Sequence, residues 1–124
     1  MRTKALFYVC ATITCINALV SVGFSLAMVF GQRLAVVAAM YGVARTVPLA
    51  IAALIAVAIR SYSGITVLAL LLAAIQACDA IVGWISHDAM KTIGPATLTV
   101  LTITSAIILV RAIRQDVMRP GNVR

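Results

Sequence analysis

Charge is scarce in this chain. Of its 124 residues only three are acidic, charged residues of both signs together make up 10%, and there is one histidine. General acid–base catalysis draws on paired carboxylates or a tuned histidine, and hydrolytic metal sites draw on clusters of His, Asp, Glu or Cys. None of those constellations occurs, nor does a nucleophile elbow or a phosphate-binding loop. The three cysteines, Cys10, Cys15 and Cys78, all stand inside apolar segments and lack metal-ligand spacing. They are expected to be small packing residues. His87 and Asp88 sit together in a short polar stretch and are expected to form a solvated loop. The expectation is therefore no metal, no cofactor and little support for an enzyme.

What the chain has in abundance is hydrophobic side chains, 64% of all residues. A water-soluble domain of this size could not hide so much apolar surface. A bilayer accommodates it, because a spanning helix needs roughly 20 mostly apolar residues to cross a hydrocarbon core about 30 Å thick. Four apolar segments are legible, at about residues 5–30, 34–59, 65–85 and 93–110, followed by a tail at 111–124. Their continuous apolar character excludes the alternation of a barrel strand, and only helices or closed barrels satisfy the backbone in lipid. The connections are short enough to force antiparallel neighbours. The spacing predicts an all-α membrane protein, an antiparallel bundle of four transmembrane helices forming one domain over residues 1–124. The first segment is too long for the apolar region of a signal peptide and is expected to remain as a helix. Gly94-Pro95 is expected to open the fourth helix, since proline is tolerated in a first turn.

The formal net charge of +7 does not point to nucleic acid, because the basic residues lie between apolar segments and not in a patch with interleaved aromatics. They fit a rule of membrane orientation instead. Arg2, Lys4, Arg60, Arg111, Arg114, Arg119 and Arg124 fall on one side, and only Arg33 and Lys91 on the other. Excess basic charge marks the cytoplasmic side, so both termini are expected in the cytoplasm and the protein in the cell membrane. Tyr41 and Trp84 would then lie near the outer interface, Tyr8 and Tyr62 near the inner one. The arginines of the tail, opposed only by Asp116, are placed to meet anionic headgroups. A membrane-protein partner or a second copy of the chain is compatible with the same composition.

Arg45 lies well inside the second apolar segment, where a charge costs about 2.5–3.5 kcal/mol on insertion scales. Asp79 is the one acidic residue inside an apolar segment, and both residues are 17 positions from Tyr62, the centre of the connection between their helices. In a tight antiparallel hairpin they reach equal depth, which predicts a buried ion pair. Such a pair either fixes the register of two helices or forms a binding or proton-handling site; the sequence leaves both open. Pro48 cannot donate to the carbonyl of Ala44, and a kink there would open a polar space beside Arg45. Asn17 and Ser21, in a stripe with Thr14 and Ser25, together with Gln76, Thr99, Thr102 and Tyr41, are candidates to line a pocket at this level. The alternative is that these polar groups act as glue between helices. Ala38, Ala52, Ala56, Ala69, Ala73 and Ala77 are expected at close helix contacts.

Gly42-Val43-Ala44-Arg45, Cys78-Asp79-Ala80 and Gly94 together resemble a pattern found in small DoxX-related membrane proteins, over roughly residues 41–110. That resemblance implies a four-helix bundle and an Arg–Asp pair, without an established activity. Small multidrug transporters have similar size but depend on an acidic residue in the first helix, which this chain lacks. The expected function is a non-catalytic membrane subunit or a bundle that binds an apolar ligand. A proton- or solute-coupled carrier using Arg45 and Asp79 is the alternative, and a membrane redox-enzyme subunit, suggested only by the resemblance, is the third.

Overall fold

In the computed structural model the chain forms four helices, α1 (Arg2–Gly31), α2 (Val36–Ala58), α3 (Tyr62–Ile85) and α4 (Ala89–Val117). The structure describes residues 2–31 and 36–118; Arg33, Arg119 and Arg124 lie outside the described residues, as do the side chains of Arg2 and Ala38. All four helices are long and apolar enough to cross a membrane, and the protein is an all-α four-helix bundle. At about 1.5 Å per residue, α1 and α4 each extend roughly 45 Å, longer than a hydrocarbon core of about 30 Å.

Two of the connections are built the same way. At the end of α2, Ser61 N–H donates to the Ala56 carbonyl (2.8 Å) and Arg60 N–H to Val57 (3.0 Å); at the end of α3, Asp88 N–H donates to Gly83 (3.1 Å) and His87 N–H to Trp84 (3.1 Å). This is the Schellman arrangement, which satisfies carbonyls orphaned at a helix terminus. Its left-handed position usually holds glycine, but here it holds Arg60 (φ 52°) and His87 (φ 53°). The residue after each also caps the next helix. Ser61 Oγ accepts from Gly64 N–H, and an Asp88 carboxylate oxygen accepts from Lys91 N–H. Consecutive helices are thus joined with almost no loop, and α3 begins at Tyr62, which is a helical residue and not the centre of a connection.

The fourth helix departs most from expectation. It starts at Ala89, capped by Asp88, so that Gly94-Pro95 lies inside it and not at its start, and it runs to Val117 through the first half of the expected tail. Pro95 leaves the carbonyl of Lys91 without its intrahelical donor. That carbonyl faces Gly83 of α3, where an added Cβ would come within 2.4 Å of the oxygen. The close approach supplies a backbone C–H contact that only glycine permits here, and it shows how a membrane helix tolerates proline by leaning on its neighbour. Arg114 in the last turn complements the helix dipole.

The short α1–α3 diagonal is packed, whereas among the described residues α2 and α4 do not meet. Near the termini, Phe7, Cys10, Ala11, Ala56, Ile65, Ala69, Ala106 and Leu109 form the main apolar core. Tyr62 packs on Phe7 with ring centroids 4.6 Å apart, and Thr3 Oγ1 donates to Asp116, so both chain ends and the α2–α3 turn share one end of the bundle. A second cluster of Ala18, Ala50 and Leu72 lies further along. On α2 the fully buried alanines are Ala50, Ala53 and Ala56; Ala52 is only half-buried, as is Ala77 on α3, while Ala69 and Ala73 are buried as expected. The outer surface carries exposed Leu19, Phe24, Ile51, Leu54, Leu70, Ile81 and Ile107, an inside-out distribution for a protein in water.

Candidate functional site

Three helices meet through a buried polar layer. Asn17 Nδ2 donates to Thr102 Oγ1 (3.0 Å), while Gln76 Nε2 donates to Asn17 Oδ1 (2.6 Å) and to Ser21 Oγ (3.1 Å). Ser21 in turn donates to the Asn17 carbonyl. Every buried side-chain polar atom among the described residues has a partner, which is what a dry interior demands. The three- and four-residue spacing along α1 puts Thr14, Asn17 and Ser21 on the inward face, and all three are buried. Thr14, however, only donates to the Cys10 carbonyl of its own helix.

Past this layer, away from the termini, the helices part. α2 and α3 stay together from their turn as far as Ala50 and Leu72. Beyond that level a cavity of about 330 Å³ opens among all four helices. Its floor is Ser21 and Gln76. Its walls include Val20, Phe24, Met28 and Leu98, and its polar groups come from Ser25, Arg45, Thr46, Asp79 and Lys91. Gly42 belongs to the wall because α1 crosses close to α2 there: a Cβ on Gly42 would stand 3.3 Å from Ser25 Oγ. Thr46, one turn later and buried, donates to the Gly42 carbonyl (3.0 Å) and reaches Ser25 Oγ (3.4 Å).

Arg45 and Asp79 face one another across this space, with Arg45 Nη2 3.6 Å from Asp79 Oδ1. The pair is not buried as the sequence led us to expect. The side chains are 52% and 44% exposed, because the cavity separates α2 from α3 at this level and α3 packs mainly against α4. A single nitrogen–oxygen approach of this length leaves most of the guanidinium fork open. Lys91 stands at the rim, 2.9 Å from Asp88 Oδ2. That hydrogen bond, with a second from the Lys91 backbone N–H, holds the Asp88 carboxyl below the usual carboxylate range.

Of the other pocket candidates singled out from sequence, only Ser21, Ser25 and Gln76 line the cavity. Asn17 and Thr102 lie in the layer beneath it. Thr99 is spent on backbone, donating to the carbonyls of Pro95 (2.9 Å) and Ala73 (3.3 Å). Tyr41 is exposed, and Pro48 is exposed and does not line the cavity. The polar space beside Arg45 therefore comes from helix divergence and does not contain Pro48. Thr46, Gly42, Gly94 and Lys91 are the lining residues that sequence reasoning passed over as pocket residues. The spacing of Gly42 and Thr46 around Arg45, one helical turn in all, is the signal that could have found the first two. Among the described residues no group of three His, Cys, Asp or Glu side chains gathers as a metal site would require. Comparison of the chain with protein-family models, curated proteins and solved structures finds no match.

Proposed function

We propose that this protein is a non-catalytic membrane bundle that binds an apolar or amphiphilic small molecule between its helices. One observation carries the reading: a cavity of about 330 Å³ with mainly hydrocarbon walls and a few convergent polar side chains. Binding sites for small molecules share that make-up and run from about 300 to 1,000 Å³. The reading includes kinship with the small DoxX-related proteins. Its support is that Gly42, Arg45, Asp79 and Gly94, drawn from all three segments of that resemblance, line one cavity.

Gly94 provides the test. No atom lies within 4 Å of where its Cβ would stand and Gly94 lines the cavity, so Gly94→Leu adds hydrocarbon at the cavity wall from an open position and without losing a side-chain hydrogen bond. Small molecules extracted from the purified protein should include a species that is retained by the unaltered chain and missing from equally stable Gly94→Leu. Identical extracts from the two would show that the cavity holds nothing.

The reading also places the bundle in the cell membrane with both termini in the cytoplasm, on the support of seven basic residues against two. Reporter fusions at the C-terminus and beside His87 should report the cytoplasmic and external sides respectively. A cytoplasmic His87 reverses the orientation.

A further inference from the structure

We infer that the occupant is a single-chain amphiphile with an anionic head, a carboxylate or a phosphate, seated against Arg45. The inference rests on the binding role proposed above and adds what the cavity selects. Arg45 makes no hydrogen bond among the described residues, and its one ionic contact is the 3.6 Å approach of Asp79. A guanidinium carries five donors in a planar fork suited to oxyanions. In a space walled by Val20, Phe24, Met28 and Leu98 those donors have little else to meet. An oxyanion brings two or more acceptor oxygens and can bind the fork in two places, which Asp79 at its present distance does not.

The charges around the cavity favour the same sign. Arg45 and Asp79 line it as one cation and one carboxylate held only loosely together, and Lys91 at the rim is already neutralised by Asp88 at 2.9 Å. A cationic head would have to compete with Arg45 for the one carboxylate, Asp79, whereas an anionic head finds open donors on the Arg45 fork. The size favours one chain, since about 330 Å³ lies at the small end of the range for ligand sites. Asp79 thereby acquires a definite part: it is the counter-ion of the empty site and competes with the ligand for Arg45.

That competition gives a sign that a structural ion pair would not. The full chain in phosphatidylcholine nanodiscs is titrated with labelled dodecanoate, dodecanol and dodecylamine. Dodecanoate should bind roughly tenfold more tightly than dodecanol, the factor expected for a hydrogen bond to a charged group. Arg45→Gln should erase the difference, and Arg45→Lys should restore part of it. Asp79→Asn should tighten dodecanoate binding several-fold and leave dodecanol unchanged. Equal binding of dodecanoate and dodecanol, tighter binding of dodecylamine, or weakened dodecanoate binding in Asp79→Asn would each overturn the inference while leaving a ligand-binding bundle intact. Failure of all three probes to bind would overturn both readings. Nanodiscs containing lysophosphatidylglycerol, a one-chain lipid, separate the sources of the head: displacement of dodecanoate assigns the site to a membrane lysolipid, and undiminished binding assigns it to a free acid.

Discussion

Gly83 of α3 and Lys91 of α4 approach so closely that a single methyl group would separate them: a Cβ on Gly83 would sit 2.4 Å from the Lys91 oxygen and 2.7 Å from the nitrogen of Thr92. The obstacle is backbone, so it cannot rotate away. Gly83→Ala should therefore destabilise the bundle by about 1–3 kcal/mol, the usual cost of overpacking. Gly94→Ala, with nothing within 4 Å, should gain about 0.5–1 kcal/mol from helix propensity. Thermal unfolding in detergent reads both. Equal effects from the two alanines would contradict the contact.

The Arg45–Asp79 pair should be worth far less than a buried one. Loss of one member of a buried pair costs about 3–5 kcal/mol, but these side chains are 52% and 44% exposed, and pairs of that kind couple by about 0.2–1 kcal/mol. A double-mutant cycle with Arg45→Ala and Asp79→Ala should return a coupling in that lower range. Coupling of several kcal/mol would mean that the cavity is closed and dry around the pair.

Asn17 should matter more to stability than the ion pair. It accepts from Gln76 and donates to Thr102, and interhelical hydrogen bonds in membranes average about 0.6 kcal/mol with a maximum near 1.7. Asn17→Ala removes two and leaves buried partners behind. It should cost roughly 1–3 kcal/mol in the same unfolding assay, whereas Thr97→Ala, on an exposed position bonded only to its own helix, should stay within about 0.5 kcal/mol.

His87 and Arg60 occupy left-handed backbone, which costs a non-glycine residue about 1–2 kcal/mol. His87→Gly should raise stability by about 1 kcal/mol, with no offsetting loss if His87 serves only the turn. Lower stability of the variant would show that the imidazole makes an interaction of its own.

Asp88 links the α3–α4 turn to pH. Its folded pKa is depressed below the ordinary value of 3.8, first by the hydrogen bond from the Lys91 side chain. The stability it contributes is therefore complete above that ordinary value and is lost as pH falls through the lower folded pKa. Asp88→Asn should flatten this acid limb of an unfolding profile by lowering stability at neutral pH, where the ionised carboxyl contributes, and leaving the most acidic values nearly unchanged. An identical acid limb in the variant would assign the effect to other carboxylates.

The number of helices, their antiparallel order and the facing of Arg45 and Asp79 were legible because each follows from a one-dimensional property: apolar run length, connection length or distance from a turn. The cavity was not, because it depends on which helix pairs pack. The hairpin logic assumed that α2 and α3 touch along their whole length. Gly83 instead lets α3 lean on α4, and Gly42 brings α2 to α1. The start of α4 was missed for a related reason: Pro95 suggested a first turn, while the capping carboxylate of Asp88 lay seven residues earlier.

Beneath the polar layer of Asn17, Gln76 and Thr102, the side chains of Phe7, Cys10, Ile65 and Leu109 are sealed to 1% exposure or less, and they make the site a cul-de-sac. A molecule seated at Arg45 has no route through them to the end of the bundle that holds Thr3 and Asp116. Vectorial traffic along the bundle would require these four side chains, each at 1% exposure or less, to part on every cycle.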